Sequence, residues 1–185
     1  MQKANLSHMR THNSRLVLRT IYAQGPLSRA DLTRATQLTA PTISDAVSDL
    51  LGQGLVEEIG YGLSSGGKRP ILLQVVDDAR HLIGLDLGRG DFHGVLANLR
   101  GTIRHRIDLP LLERNGEAAL ALVYDLVDRL VAAANQPLLG IGLGAPGLVD
   151  SANGIVHRAV AVDWQDIPLR QLLQERYGLP VHMAN

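Results

Sequence analysis

The chain has 185 residues, 45% hydrophobic and 3% aromatic, with 18 Lys/Arg balanced by 18 Asp/Glu. That length suits one or two domains, whose cores must be built from Leu, Val, Ile and Ala. The absence of cysteine excludes disulfides, thiolate metal sites and cysteine catalysis within the chain. The opening Met1-Gln2-Lys3-Ala4-Asn5 carries no apolar signal segment, and no run approaches a membrane span. The most apolar stretch, near Glu117–Ala134, is interrupted by Asp125, Asp128 and Arg129. A cytoplasmic protein with no membrane partner is therefore expected. The neutral total hides an asymmetry: residues 1–70 hold eight Lys/Arg against five Asp/Glu, and residues 71–185 hold ten against thirteen. A basic front and an acidic rear suit a nucleic-acid reader joined to a second domain.

In chain order, Asn13–Ala23 carries Leu16, Val17 and Ile21 at helical spacing and ends at Gln24-Gly25-Pro26. Ser28 begins a Ser-x-x-Asp capping box with Asp31, flanked by the staple pair Leu27 and Leu32, and predicts a helix to about Thr36. After the turn Gln37-Leu38, Thr39 caps a third helix by the same device, with Leu38 and Ile43 as its staple. Pro41 is tolerated there because first-turn N–H groups have no intrahelical partner. Ile43, Val47, Leu50 and Leu51 form the inward face. Pro41, Ser44, Asp45 and Ser48 point outward, with Thr42 and Asp49 at the flanks. Gly52 and Gly54 end the helix. Leu55–Ile59 and Ile71–Val75 read as a returning pair of strands, with Ser64-Ser65-Gly66-Gly67-Lys68-Arg69-Pro70 as a glycine-rich basic tip.

Two short helices, a tight turn and a basic hairpin make a winged helix-turn-helix, which lays one helix in the DNA major groove and its wing on the backbone. Small polar side chains let a helix approach base edges. Lys68 and Arg69 are placed to meet phosphates or enter the minor groove. The candidate DNA-binding residues are Arg29, Thr39, Pro41, Thr42, Ser44, Asp45, Ser48, Lys68 and Arg69. Asp45 either accepts from a cytosine amino group or repels phosphate. Arg10, Arg15, Arg29 and Arg34 are backbone-contact candidates, or else ordinary solvated charges. A winged helix used only for protein contacts is the competing reading.

From His81 the pattern changes. His81–Asp86, Phe92–Leu99 and Thr102–Leu109 read as strands, Glu117–Ala134 as a helix presenting Leu120, Val123, Val127, Leu130 and Val131, and Leu138–Leu143 as a buried strand entering Gly144-Ala145-Pro146-Gly147. Leu169–Tyr177 is helical and Val181–Ala184 is a last strand. This β-β-β-α-β-α-β order implies an antiparallel hairpin sheet extended by parallel crossovers. Gly144–Gly147 is either a strand-to-loop turn that needs glycine or a ligand-facing loop. Trp164 is read as a half-buried core residue in preference to a stacking platform, and His93, His105 and His157 lack metal-ligand spacing. The expected domains are 1–76 and 81–185.

The stretch Gly140-Ile141-Gly142-Leu143-Gly144-Ala145-Pro146-Gly147-Leu148-Val149-Asp150 carries a resemblance, with Gly154-Ile155-Val156, Trp164-Gln165-Asp166-Ile167-Pro168-Leu169, Gly178-Leu179-Pro180-Val181 and the wing sequence Ser65–Pro70. The chain resembles transcriptional regulators of the ROK family (repressor, open reading frame, kinase), over nearly its whole length. That resemblance implies an α/β protein: a winged helix-turn-helix followed by an actin/ribonuclease H-like lobe of a two-lobed, sugar-kinase-like domain. It further implies a sugar or sugar-derivative effector, a double-stranded DNA operator, a homodimer, and sugar contacts at Gly147 and Asn185.

Two departures bear on activity. Kinases of the family open with Asp-x-Gly-Gly-Thr-Lys, whereas Asp86-Leu87-Gly88-Arg89-Gly90-Asp91 stands here. A carboxylate beside triphosphate is electrostatically adverse, though Arg89 partly offsets it. The family's catalytic Asp would follow Asn185 by one residue, so the chain is expected to hold one lobe of a longer protein. No catalytic residue, metal site or cofactor is expected in it, and the family's cysteine-rich zinc motif belongs to a downstream segment. A repressor is the favoured reading. A sugar kinase with an added DNA-binding domain and a truncated DNA-binding or interaction module are the rivals.

Overall fold

In the computed structural model the chain divides into two compact units, Met1–Asp77 and Asp78–Asn185. The structure describes residues 2–63 and 69–184, with residues 2–7 by backbone alone.

The first unit begins with α1 (Gln2–Gln24). It starts eleven residues before the expected Asn13, because its leading half is polar and offers no apolar periodicity to read. A two-residue strand β1 (Leu27–Ser28) leads into α2 (Arg29–Thr36), then α3 (Ala40–Gly52), β2 (Val56–Tyr61) and β3 (Ile71–Val75). β3 is the centre of a three-stranded sheet of order β1-β3-β2, antiparallel throughout.

Both expected caps form. The Ser28 hydroxyl accepts from the Asp31 N–H at 3.2 Å, while the Ser28 N–H donates to Asp31 Oδ2 at 2.9 Å. Thr39 accepts from the Thr42 N–H at 3.5 Å, and its partner at that third position is the Thr42 hydroxyl, 2.9 Å away, in place of a carboxylate. Gln37, in the left-handed region at φ 59°, turns the chain between the two helices. Val17 and Ile21 of α1, Leu32 of α2, Ile43, Ala46, Val47 and Leu50 of α3, and Leu73 of β3 close the core. Ala46 takes the place expected for Leu51, which is only half-buried. Ala46 falls between Ile43 and Leu50 on the helix period, and Leu51 lies beyond that stripe.

The second unit is built on a five-stranded sheet of order β11-β7-β4-β5-β6. β4 (His81–Leu87), β5 (Asp91–Asn98) and β6 (Ile103–Pro110) form an antiparallel meander. β7 (Leu138–Gly144) and β11 (Val181–Ala184) extend it in parallel, as the strand and helix order implied. α4 (Gly116–Ala133) packs Ala119, Val123, Leu126 and Leu130 on one face of this sheet. Gly94 permits the approach: a Cβ there would lie 2.7 Å from Leu130 Cδ1 and 2.8 Å from Leu126 Cδ1. Val131, expected on the inward face, is 37% exposed. α5 (Leu169–Tyr177) joins the same core through Leu169 and Leu173. Its Tyr177 hydroxyl donates to Asp128 of α4 at 2.8 Å, and Arg176 donates to the same carboxylate at 2.8 Å.

Between β7 and α5 the chain forms a second small sheet that the sequence pattern did not suggest. β8 (Leu148–Asp150), β9 (Ile155–Ala159) and β10 (Trp164–Ile167) pair antiparallel in the order β10-β9-β8. Trp164 is 2% exposed rather than half-buried, and its indole N–H donates to the Gly116 carbonyl at 2.9 Å. That bond ties the small sheet to the start of α4.

Candidate functional site

α3 has two faces of opposite chemistry. Ile43, Ala46, Val47 and Leu50 are buried, and Pro41, Ser44, Asp45 and Ser48 are exposed. Thr42 and Asp49 lie at the boundary. The helix period of 3.6 residues produces this split directly from the sequence. The N-cap and Pro41 fix where the helix starts, and therefore which side chains face out. Thr39 is committed to the cap, so its hydroxyl is shared with the backbone and with Thr42.

The flank of α3 is braced by a contact that the sequence did not suggest. Arg10 of α1 makes a two-pronged pair with Asp49, Nε to Oδ2 at 3.0 Å and Nη2 to Oδ1 at 3.1 Å. Arg34 likewise pairs with Asp31. Arg10 thus links α1 to α3, whereas the Arg34 pair stays within α2, and both arginine side chains remain largely exposed. Arg15 is exposed and has no carboxylate partner among the described residues. Asp31 is held below its ordinary pKa of 3.8, first by the Ser28 hydroxyl and backbone N–H, then by Arg34.

Arg29 opens α2 and bonds Glu58 of β2 through both terminal nitrogens, each 3.1 Å from Oε1. The same cleft is lined by Ser28, Ala30, Arg69, Pro70 and Ile71. Two of the candidate cations, Arg29 and Arg69, are thereby brought together beside the first turn of α2. Helix N-termini favour anions, so the positive charge of this cleft adds to that of the α2 terminus, with Glu58 competing for Arg29. Glu58 was not singled out from sequence because nothing local marks a strand carboxylate as facing a helix. Lys68 lies outside the described residues.

In the second unit Gly147 sits at φ +85°, and a Cβ there would lie 2.0 Å from the Arg158 carbonyl oxygen and 2.8 Å from Ala159 Cα. The turn after β7 is thus pressed against β9, which gives the glycine a packing reason of its own. Asn185 lies outside the described residues, so no contact joins the two sugar-site candidates. Asp86 is exposed at the end of β4, facing Gly144 across the strand pair. Gly90 precedes β5 and Asp91 is its first residue, and both are exposed.

His93 pairs with Asp108 at 2.7 Å and His157 with Asp166 at 2.7 Å. Asp108 is held below its usual pKa by His93 and then Arg106. His105 is exposed. No cluster of three or more metal-ligating side chains occurs among the described residues. The zinc motif implied by the resemblance has no counterpart here, since the chain contains no cysteine. No described helix is long and apolar enough to cross a membrane.

The ROK family model matches residues 82–185, and the MarR family model matches residues 11–60. The chain is 37% identical over 178 residues to a xylose repressor of Caldicellulosiruptor bescii, covering 94% of this chain and 44% of that protein. It is 34% identical over 194 residues to the xylose repressor of Bacillus subtilis, covering 100% and 49%. The DNA-binding transcriptional repressor Mlc of Escherichia coli is 29% identical, covering 100% and 47%. The chain spans about half the length of the curated relatives it matches. Among solved structures, a ROK family transcriptional regulator, a homologue of the E. coli MLC protein, superposes with a TM-score of 0.76 at 25% identity, over 96% of this chain and 46% of that one. A ROK family glucokinase from Streptomyces griseus, solved with glucose and AMPPNP, superposes with a TM-score of 0.51 at 25% identity, over 57% of this chain and 33% of that one.

Proposed function

Because the chain belongs to the ROK family, we propose that it is a DNA-binding transcriptional repressor whose second unit responds to a sugar or sugar derivative. One observation carries the reading: α3 buries its apolar stripe and leaves Pro41, Ser44, Asp45 and Ser48 exposed on a unit that matches a MarR-type DNA reader. In this reading α3 enters the major groove, where Ser44 and Ser48 reach base edges and Asp45 accepts from a cytosine amino group. Arg29, Arg69 and Lys68 set the register on the backbone. Pro41, Thr39 and Thr42 fix the depth and direction of the helix.

The repressor works as a cytoplasmic homodimer, since paired half-sites require matched spacing. A sugar alters operator affinity only if it binds one state of the protein more tightly than the other. Gly147 and Asn185 are the residues assigned to that sugar. The likeness to relatives named as repressors supports a regulator, and Gly90 and Asp91, standing where family kinases carry Thr and Lys, favour a non-enzyme. The glucokinase-like lobe keeps a second reading in play, that of a sugar kinase. ATP turnover with a panel of sugars separates the two; the repressor reading expects none.

The direct test is a fluorescence-anisotropy titration of the chain on the DNA upstream of its own gene, with and without D-xylose or D-glucose. Salt-dependent binding that a sugar changes supports the proposal. Binding that no sugar or sugar derivative alters removes the effector half, and absence of DNA binding removes the proposal.

A further inference from the structure

The turn Gly88-Arg89-Gly90 after β4, the turn Ala145-Pro146-Gly147 after β7 and the end of β9 meet around an open cavity of about 320 Å³. It is lined by Arg89, Pro146, Gly147, Arg158 and the segment Ala159–Ala161. That volume falls at the low end of the roughly 300–1,000 Å³ found for small-ligand sites. Arg89 and Arg158 are the cavity's charged side chains, and both are exposed.

Many of the molecule's arginines are neutralised by a carboxylate, Arg104 by Asp78 among them, whereas Arg89 and Arg158, like Arg15, are not. Arg10, Arg29, Arg34, Arg106, Arg129 and Arg176 are each held by a carboxylate. Arg89 and Arg158 have no carboxylate partner among the described residues. Asp86 and Asp91 flank the first turn in sequence but do not line the cavity. The side chains around it are therefore two guanidiniums, which only donate, and apolar groups. A neutral sugar hydroxyl donates as well as accepts, and no side chain of the wall accepts from it. A phosphate or carboxylate only accepts, and its planar or tetrahedral oxygens match the guanidinium fork.

The backbone places the pair. Gly147 brings its turn so close to β9 that a methyl group would overlap the Arg158 carbonyl, and this fixes the strand carrying Arg158 against the mouth of the β7 turn. Val160, 80% exposed, adds an apolar rim next to the two charges. From the geometry we infer that Arg89 and Arg158 clamp the phosphate or carboxylate of an anionic sugar derivative in this cavity. The inference rests on the sugar-effector reading and names the chemical class of that effector.

The test is calorimetric titration of the 185-residue chain with two matched series. One is D-xylose, D-xylonate and D-xylose 5-phosphate; the other is D-glucose, D-gluconate and D-glucose 6-phosphate. Inorganic phosphate and ATP are added as controls, each at low and high salt. The variants are Arg89→Gln, Arg158→Gln and the conservative Arg158→Lys, with thermal melting to verify that these exposed positions leave the fold intact. The expected result is that at least one sugar anion binds about tenfold more tightly than its neutral parent. Each Gln variant loses about tenfold for that anion and nothing for the neutral sugar, Arg158→Lys retains part, and high salt weakens binding. The phosphate and carboxylate arms then identify the anion.

Neutral sugars binding as well as their anions, or anions binding the Gln variants unchanged, overturns the inference and leaves the sugar-effector reading standing. Inorganic phosphate or ATP binding with no sugar anion preferred overturns the sugar class, as an adventitious ion only or a nucleotide site respectively. No sugar of either series binding overturns the inference, and the anisotropy titration then decides separately whether the effector reading falls with it.

Discussion

The polar surface of α3 and the cavity at Gly147 are assembled in different ways. On α3 every presented side chain comes from one helix, and the spacing is set by that helix's own period and by the caps at Thr39 and Pro41. At the cavity, Arg89, Gly147 and Arg158 come from three segments spanning some 70 positions, and one close backbone approach sets Gly147 against the strand carrying Arg158. The first surface therefore tolerates changes elsewhere as long as the helix stays capped and packed. The second is lost when a single turn moves. Readers of a fixed duplex need a rigid periodic rod, whereas a ligand site must enclose its target from several directions.

This comparison is sharpened first by core substitution. Ile43 is fully buried beneath the polar face, and Ile43→Ala is expected to destabilise the first unit by about 2–5 kcal/mol. Differential scanning calorimetry should show that loss in a transition of the first unit, with the second unit's transition unmoved. A concerted loss of both transitions contradicts the independence of the two surfaces.

Next in size is Gly147→Ala. A side chain at φ +85° facing the Arg158 carbonyl is expected to cost on the order of 1–3 kcal/mol. Urea denaturation followed by Trp164 fluorescence reports on the second unit, since the indole is buried there. An unchanged midpoint would show that the turn is free to shift and that the cavity is not fixed by it.

Asp31→Asn breaks the reciprocal capping box and is expected to cost about 1 kcal/mol in the first unit. The pH dependence has a definite sign. Asp31 has its pKa lowered below 3.8 in the folded state, by Ser28 first and Arg34 after it. Its stabilising contribution is therefore complete above 3.8 and lost as the pH falls through the lower folded value. The wild-type melting temperature should fall more steeply with acid than that of Asp31→Asn, and parallel curves would exclude the capping carboxylate as the cause.

The smallest expected effect is at Glu58. Because it occupies Arg29 in an exposed pair, Glu58→Gln changes stability by less than about 1 kcal/mol. It should nonetheless tighten DNA binding a few-fold at low salt by releasing a cation toward phosphate. Weaker binding would mean that Glu58 orients Arg29 productively and does not compete for it.

What sequence made legible follows the same division. The caps at Ser28 and Thr39, the glycine stops of α3 and the two faces of that helix are local properties, and they were readable. So was the antiparallel hairpin sheet of the second unit with its parallel extension, because hairpins and crossovers have few alternatives. The small sheet β8–β10 was not readable, because its strands are three to five residues long and Leu148 is exposed, so no alternation appears. Buried alanines were passed over in favour of bulkier neighbours: Ala46 and Ala119 pack inward while Leu51 and Val131 lie nearer the surface. The pairing of Arg10 with Asp49, 39 positions apart, and the approach of Gly147 to Arg158 depend on tertiary placement that no local pattern encodes. Lys68, expected in the wing, lies outside the described residues, and Arg69 is found beside Arg29.

The measurement that bears most directly on the account compares two kinds of change at the proposed DNA surface. Affinities of wild type, Ser48→Ala and the Lys68→Ala/Arg69→Ala pair would be determined on the upstream DNA and on single-base variants of it, across a salt series. If α3 reads base edges, Ser48→Ala relaxes preference at a particular base pair by roughly 1 kcal/mol, while the wing pair weakens every sequence equally and lowers the salt slope by about two. Unaltered base preference in the α3 variant, with an unchanged salt slope in the wing pair, would contradict it.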